Sequence, residues 1–93
     1  MNTNVPASYN LYQNFLIHFN PVTGIKFDIA KKGNVKLVVF DMLGRELSTL
    51  INESLNPGTY QVSFDGNNLS SGVYFYKLST DSFTEIKRMI MAK

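Results

Sequence analysis

Few side chains in this sequence could do chemistry, and their spacing argues against most kinds of it. The one histidine, His18, lies in Phe15-Leu-Ile-His-Phe19 with no acidic or nucleophilic residue beside it. An imidazole so placed reads as a structural or surface group, not a catalyst or a ligand. Cysteine is absent, which removes disulfides, thiolate metal sites and thiol nucleophiles together. Ser48, Ser54, Ser63, Ser70, Ser71, Ser79 and Ser82 fall at turns and on polar strand positions. None stands in the glycine-flanked elbow that exposes a nucleophilic hydroxyl. Asp28, Asp41, Asp65 and Asp81 occur near strand ends, and Asp65-Gly66-Asn67-Asn68 has some of the character of a calcium loop. The EF-hand spacing and its closing glutamate are missing, so these carboxylates are expected to bond backbone amides in turns. Phosphate loops and redox motifs are lacking. No catalytic residue, metal site, cofactor or small-molecule substrate is expected.

Recognition is the chemistry that remains. Tyr74 and Tyr76 alternate with Val73 and Phe75, so one face of a strand carries two phenols. They either cover a core with their hydroxyls reaching water, or form a binding stripe. Lys87-Arg88 stands beside Met89-Ile-Met91. The pair reads as a basic docking tip or as gatekeeper charges beside an aggregation-prone strand. A last strand is also an available edge, to which a partner can add.

The elements that must position these groups are short strands. With 93 residues the chain makes one domain, which buries roughly 60% of the surface its unfolded form exposes. A hydrophobic fraction of 44% against 17% charged residues is that of a globular chain, not a disordered one. The aromatic residues are all Phe and Tyr, which favour strands. A net charge of +2, with scattered cations, leaves no footprint for nucleic acid. No run of the roughly 20 apolar residues needed to span a bilayer as a helix occurs. Met1-Asn-Thr-Asn-Val-Pro-Ala has neither the basic start nor the apolar core of a secretory signal. An exported domain would therefore carry its signal upstream on a longer precursor, with Met1 an introduced start.

Residues 1–10 are polar and aperiodic and read as a linker or arm; residues 11–93 form the domain. Leu11 to Phe19 is apolar and aromatic and closes at the turn dipeptide Asn20-Pro21. Strands are predicted over Ile25–Ile29, Val35–Asp41, Glu46–Asn52, Thr59–Asp65, Val73–Thr80 and Phe83–Met91. Ile25, Phe27 and Ile29 face one way; so do Val35, Leu37 and Val39, while Val38 and Phe40 make that strand two-sided and central. Leu47, Thr49 and Ile51 form one face of the next strand, and Tyr60, Val62 and Phe64 point inward from the one after. Gly44 and Pro57-Gly58 supply turns. Six to seven short strands so spaced predict an all-β, immunoglobulin-like antiparallel sandwich, with a small barrel as the alternative.

By these blocks the chain resembles the C-terminal sorting domains of the type IX (Por) secretion system, type A, over residues 9–93. The blocks are Gly33-Asn-Val-Lys-Leu-Val-Val-Phe-Asp-Met-Leu-Gly-Arg-Glu46, Pro57-Gly-Thr-Tyr60, Leu69-Ser-Ser-Gly-Val-Tyr-Phe-Tyr-Lys77 and Lys87-Arg-Met89. Relatives of that family resemble the immunoglobulin-like domain of flagellar hook-capping proteins. The resemblance implies a module on an upstream cargo protein, exported through the periplasm to the surface or the medium. Its implied partners are the type IX translocon and a surface sortase-like component that removes it. The signal is implied to lie in the last strands: Gly72, Val73, Tyr74, Tyr76, Lys77, Lys87, Arg88, Met89, Ile90, Met91 and Lys93. A structural or adhesion module on an extracellular enzyme is the alternative function, and the ending directly after a strand is expected of a terminal module.

One segment departs from the family pattern. Where the family reads Tyr-Pro-Asn-Pro-Phe-Asn-Pro, this chain has Phe15-Leu-Ile-His-Phe-Asn-Pro21. Replacing two prolines by Leu16 and His18 restores two amide donors and leaves a β-prone apolar run. Leu16 and Ile17 are expected to be buried or to make contacts between chains. Exposed edges and this run leave self-association open.

Overall fold

The computed structural model describes residues 5–16 and 22–92. Two antiparallel sheets face one another, and the strands are β1 (Asn10–Leu11), β2 (Phe15–Leu16), β3 (Val22–Ile29), β4 (Gly33–Phe40), β5 (Glu46–Leu55), β6 (Gly58–Asp65), β7 (Gly72–Ser79) and β8 (Thr84–Met91). In the first sheet β3 is central, with β6 along one side and β1 and β2 along the other. The second sheet runs β5-β4-β7-β8. Placing β3 and β6 in one sheet and β4, β7 and β8 in the other is the distribution of an immunoglobulin-like sandwich.

Alternation builds the core. Ile25, Phe27 and Ile29 of β3 meet Val35, Leu37 and Val39 of β4, and Tyr76 and Leu78 of β7, all at most 1% exposed. Phe64, Tyr74, Met89, Met91 and Leu11 complete the cluster. Fully burying one such aliphatic side chain is worth about 1.5–3 kcal/mol. Val38 is buried on the opposite face of β4, between β5 and β7.

Strand β5 breaks the expected alternation of Leu47, Thr49 and Ile51. Leu37 pairs with Ile51 but Val38 with Thr49, and Val39 pairs with Ser48 but Phe40 with Glu46. Leu50 and Leu47 are therefore extra residues in two bulges. Each bulge inverts the facing of the strand. Leu50 and Ile51 both pack on the core, while Leu47 turns out to solvent.

Two corners use the same local device. Gly58-Thr-Tyr60 and Gly72-Val-Tyr74 each open a strand with glycine, and each tyrosine hydroxyl donates to a carbonyl four residues back. Tyr60 bonds Asn56 O at 2.7 Å and Tyr74 bonds Ser70 O at 2.6 Å. Glycine matters differently at Gly24, whose added Cβ would lie 2.6 Å from Phe15 Cζ. The Phe15 ring lies on the bare backbone of its cross-strand partner.

Contacts with the sandwich extend to residues 9 and 10. Tyr9 stacks on Phe83 with ring centroids 5.4 Å apart, and Asn10 pairs with Asp28. The side chain of Leu16, and Ile17, His18, Asn20 and Pro21, lie outside the described residues.

The bulges carry a stability prediction. Leu37→Ala should cost about 2–5 kcal/mol in urea unfolding, and Leu47→Ala no more than about 0.5 kcal/mol. Similar costs for the two would contradict the inverted facing of β5.

Candidate functional site

Strand β8 is the place where the sequence put recognition, and its two faces differ. Met89 and Met91 are buried against the core, with Lys87 and Glu85 on the same side, 3.3 Å apart as an ion pair. Thr84, Ile86, Arg88 and Ile90 point outward, and Ile86 and Ile90 remain 57% and 65% exposed. On neighbouring β7, Val73, Phe75 and Lys77 share that outer face, and Phe40 of β4 adjoins them.

The backbone of β8 divides in the same rhythm. Thr80 N–H donates to Phe83 O at 2.8 Å, closing the β7–β8 hairpin. In an antiparallel pair, hydrogen-bonded partners alternate with partners whose N–H and C=O point away. From that phase Glu85, Lys87, Met89 and Met91 bond to β7, while Thr84, Ile86, Arg88 and Ile90 aim their backbone groups at the open side. Among the described residues one of those groups is occupied. Gln13 Nε2 donates to Arg88 O at 2.6 Å, and an open cleft of about 420 Å³ lies there, lined by Gln13, Asn14, Arg88 and Ile90.

Gln13 reaches β8 because the segment between β1 and β2 is tied down on both sides. Buried Tyr76 donates its hydroxyl to Tyr12 O at 2.7 Å. Burial pushes the Tyr76 phenol up to about 12, with the Asn14 backbone N–H opposing and Glu85 adding to the rise. Asn14 Nδ2 donates to Thr23 Oγ1 at 2.8 Å, and that hydroxyl donates to Phe15 O at 2.9 Å.

On the outside of the first sheet, Asp28 anchors the same segment. Its carboxylate accepts from Tyr12 Oη, from Asn10 Nδ2 at 3.0 Å and from Thr59 Oγ1 at 2.7 Å. Burial raises the Asp28 carboxyl, but the hydrogen bonds from Tyr12, Thr59 and Asn10, with Lys26 nearby, outweigh it and hold it below its ordinary value. The Tyr12 phenol is raised in return, chiefly by its hydrogen bond to Asp28.

A third feature stands at the end of the sandwich where β4 turns into β5. Asp41 accepts from Leu43 N at 2.9 Å, Arg45 N at 3.0 Å and Arg45 Nε at 2.6 Å. The Arg45 backbone bond leads in holding its carboxyl below the ordinary value, against a smaller effect of burial. Gly44, at φ 82°, takes the left-handed conformation the turn requires. The tight turn holds Met42 and Leu43 in solvent, and a cleft of about 430 Å³ runs from Met42 past Phe40, Phe75 and Ile86 to Lys77.

The structure thus sorts the sequence-predicted site residues into two groups. Val73, Lys77, Arg88 and Ile90 share the outer face, whereas Tyr74, Tyr76, Met89 and Met91 line the core and Lys87 flanks it. The two phenols are therefore no surface stripe: they cover the core, and their hydroxyls bond backbone carbonyls instead of reaching water. Gly72 opens β7, Pro57 is half-buried before β6, and Lys93 lies outside the described residues. Phe40, Met42, Leu43, Ile86 and Gln13, outside the expected signal, also border this face or its edge. Ile86 was readable from its alternation with Arg88 and Ile90; Gln13 was not, being 75 residues from its partner. Asp65 accepts from Asn67 N at 2.9 Å, a turn role like that of Asp41. Among the described residues no cluster of His, Asp or Glu could hold a metal ion.

A family model described as the secretion system C-terminal sorting domain matches residues 17–92. No curated protein and no solved structure matches the chain.

Asp28 makes the fold acid-sensitive in a definite direction. Its folded value is depressed, so its stabilisation is whole above the unfolded value of 3.8 and is lost as pH falls through that value towards the folded one. Urea midpoints measured from pH 6 downward should fall below about pH 4 in the native chain. Asp28→Asn should be less stable at pH 6 but flatter below it, keeping only the slope that Asp41 supplies. An unchanged slope would contradict the role given to Asp28.

Proposed function

The chain belongs to the secretion system C-terminal sorting domain family, and on that premise we propose that it is the non-catalytic signal by which an upstream cargo protein is exported. The cargo reaches the periplasm by its own signal, the type IX translocon reads this domain, and the cargo crosses the outer membrane to the surface or the medium. A surface sortase-like component then removes the domain. The observation that carries the reading is the family match, which spans strands of both sheets.

The geometry supports a binding mechanism. The outer face of the β7–β8 hairpin combines apolar Val73, Phe75, Ile86 and Ile90 with Lys77 and Arg88. Charge there steers encounter, and apolar area holds the complex once formed. The hydrogen-bonded turn at Asp41 holds Met42 and Leu43 in place beside this face, so little ordering entropy is lost on docking.

Fusing residues 9–93 to a signal-peptide-bearing reporter in a type IX-competent strain should send the reporter to the surface or medium. Deleting Lys87 to Lys93 should leave a folded reporter in the periplasm. Periplasmic retention of the intact fusion would refute the sorting reading and favour a structural or adhesion module.

A further inference from the structure

Among the described residues, the long strands β5, β6 and β8 pair on one side only, and they are not equally open. Strand β5 carries two bulges, which spoil its edge as a template. Strand β6 shows solvent Thr59, Gln61 and Ser63 on its outer face, so an added strand would gain no apolar contact there. Strand β8 has no bulge in its pairing with β7, presents Ile86 and Ile90 outward, and directs N–H and C=O of Ile86 and Ile90 to the open side. Those two properties together are what strand addition requires: backbone groups for affinity and alternate side-chain seats for selectivity.

Charge on this face narrows the occupant. Lys77 and Arg88 stand among the apolar residues of the hairpin's outer face, and no carboxylate shares the β7–β8 part of it. Among the described residues the one ion pair on β8, between Lys87 and Glu85, lies on the other face. We infer that the open edge of β8 receives an extended segment of a partner polypeptide. That segment places apolar side chains over Ile86 and Ile90 and an acidic one by Arg88. Gln13 is the removable plug: its amide holds Arg88 O, one of the acceptors the incoming strand would use, and borders the adjoining cleft. The inference rests on the sorting reading only for which polypeptide the partner is.

The outward phase of the backbone supplies a selective test. Proline at Ile86 removes an N–H that takes no part in the β7 ladder, a position where edge strands tolerate it. The labelled native domain is titrated with a synthetic peptide of alternating valine and threonine carrying a central glutamate, and amide shifts are followed. Saturable shifts are expected at Ile86, Arg88 and Ile90. Ile86→Pro should weaken binding by about tenfold or more, and Gln13→Ala should tighten it severalfold. A peptide with lysine replacing the glutamate should bind more weakly, and less so at high salt. If Ile86→Pro fails to fold, Ile90→Pro near the strand end and the surface change Arg88→Glu serve the same purpose.

No saturable binding, shifts along β6, or binding indifferent to these proline substitutions would overturn the inference. A concentration-dependent dimer abolished by Ile86→Pro would also overturn it, by assigning the edge to a second copy. Peptide binding as stated, with the intact reporter fusion retained in the periplasm, would fell the sorting reading and leave this inference standing. An exported fusion whose domain binds no peptide would do the reverse.

Discussion

A buried hydroxyl must have a partner, and for Tyr76 that partner is the backbone of the segment between β1 and β2. The ring is wholly enclosed between the sheets, where an unsatisfied hydroxyl would cost about 1–3 kcal/mol. Its bond to Tyr12 O draws that segment across the mouth of the sandwich. The consequences follow by proximity. Tyr12 then reaches Asp28, Asn14 reaches Thr23, and Gln13 arrives at the edge of β8. Every buried side-chain polar atom among the described residues finds a partner.

The same tie decides what the domain offers to its surroundings. Strand β8 is held to the core by Met89 and Met91 on one face and to β7 by alternate backbone groups. Among the described residues its other face and its other backbone groups are left over, and the segment carrying Gln13 covers them at Arg88. The geometry of that edge, beside a firm apolar face, is set by the sheet and not by a loop.

Much of this was legible in the sequence, and the reasons are local. Alternation in Ile25-Lys-Phe-Asp-Ile29 and Tyr60-Gln-Val-Ser-Phe64 reports a strand with one buried face, and the sheets bury those faces. In β5 the same rule failed because two bulges insert residues that no period-two pattern contains. Tyr74 and Tyr76 were correctly paired on one face. Which way that face points depends on a hydroxyl partner as distant as residue 12 for Tyr76. Asp28 looked like a turn carboxylate, yet it lies within β3 and collects donors from residues 10, 12 and 59. Such convergence is a product of sheet order, which spacing along the chain does not encode. The match to the family model was legible too, in the blocks around Gly44, Gly58 and Gly72.

The claim that β8 keeps one side of its backbone open is tested most directly by amide hydrogen exchange of the native domain, residue by residue. Glu85, Lys87, Met89 and Met91 should be protected, while Ile86, Arg88 and Ile90 exchange at least about tenfold faster despite lying between them. Uniform protection along β8 would mean that its outer edge is already paired, and would contradict the account.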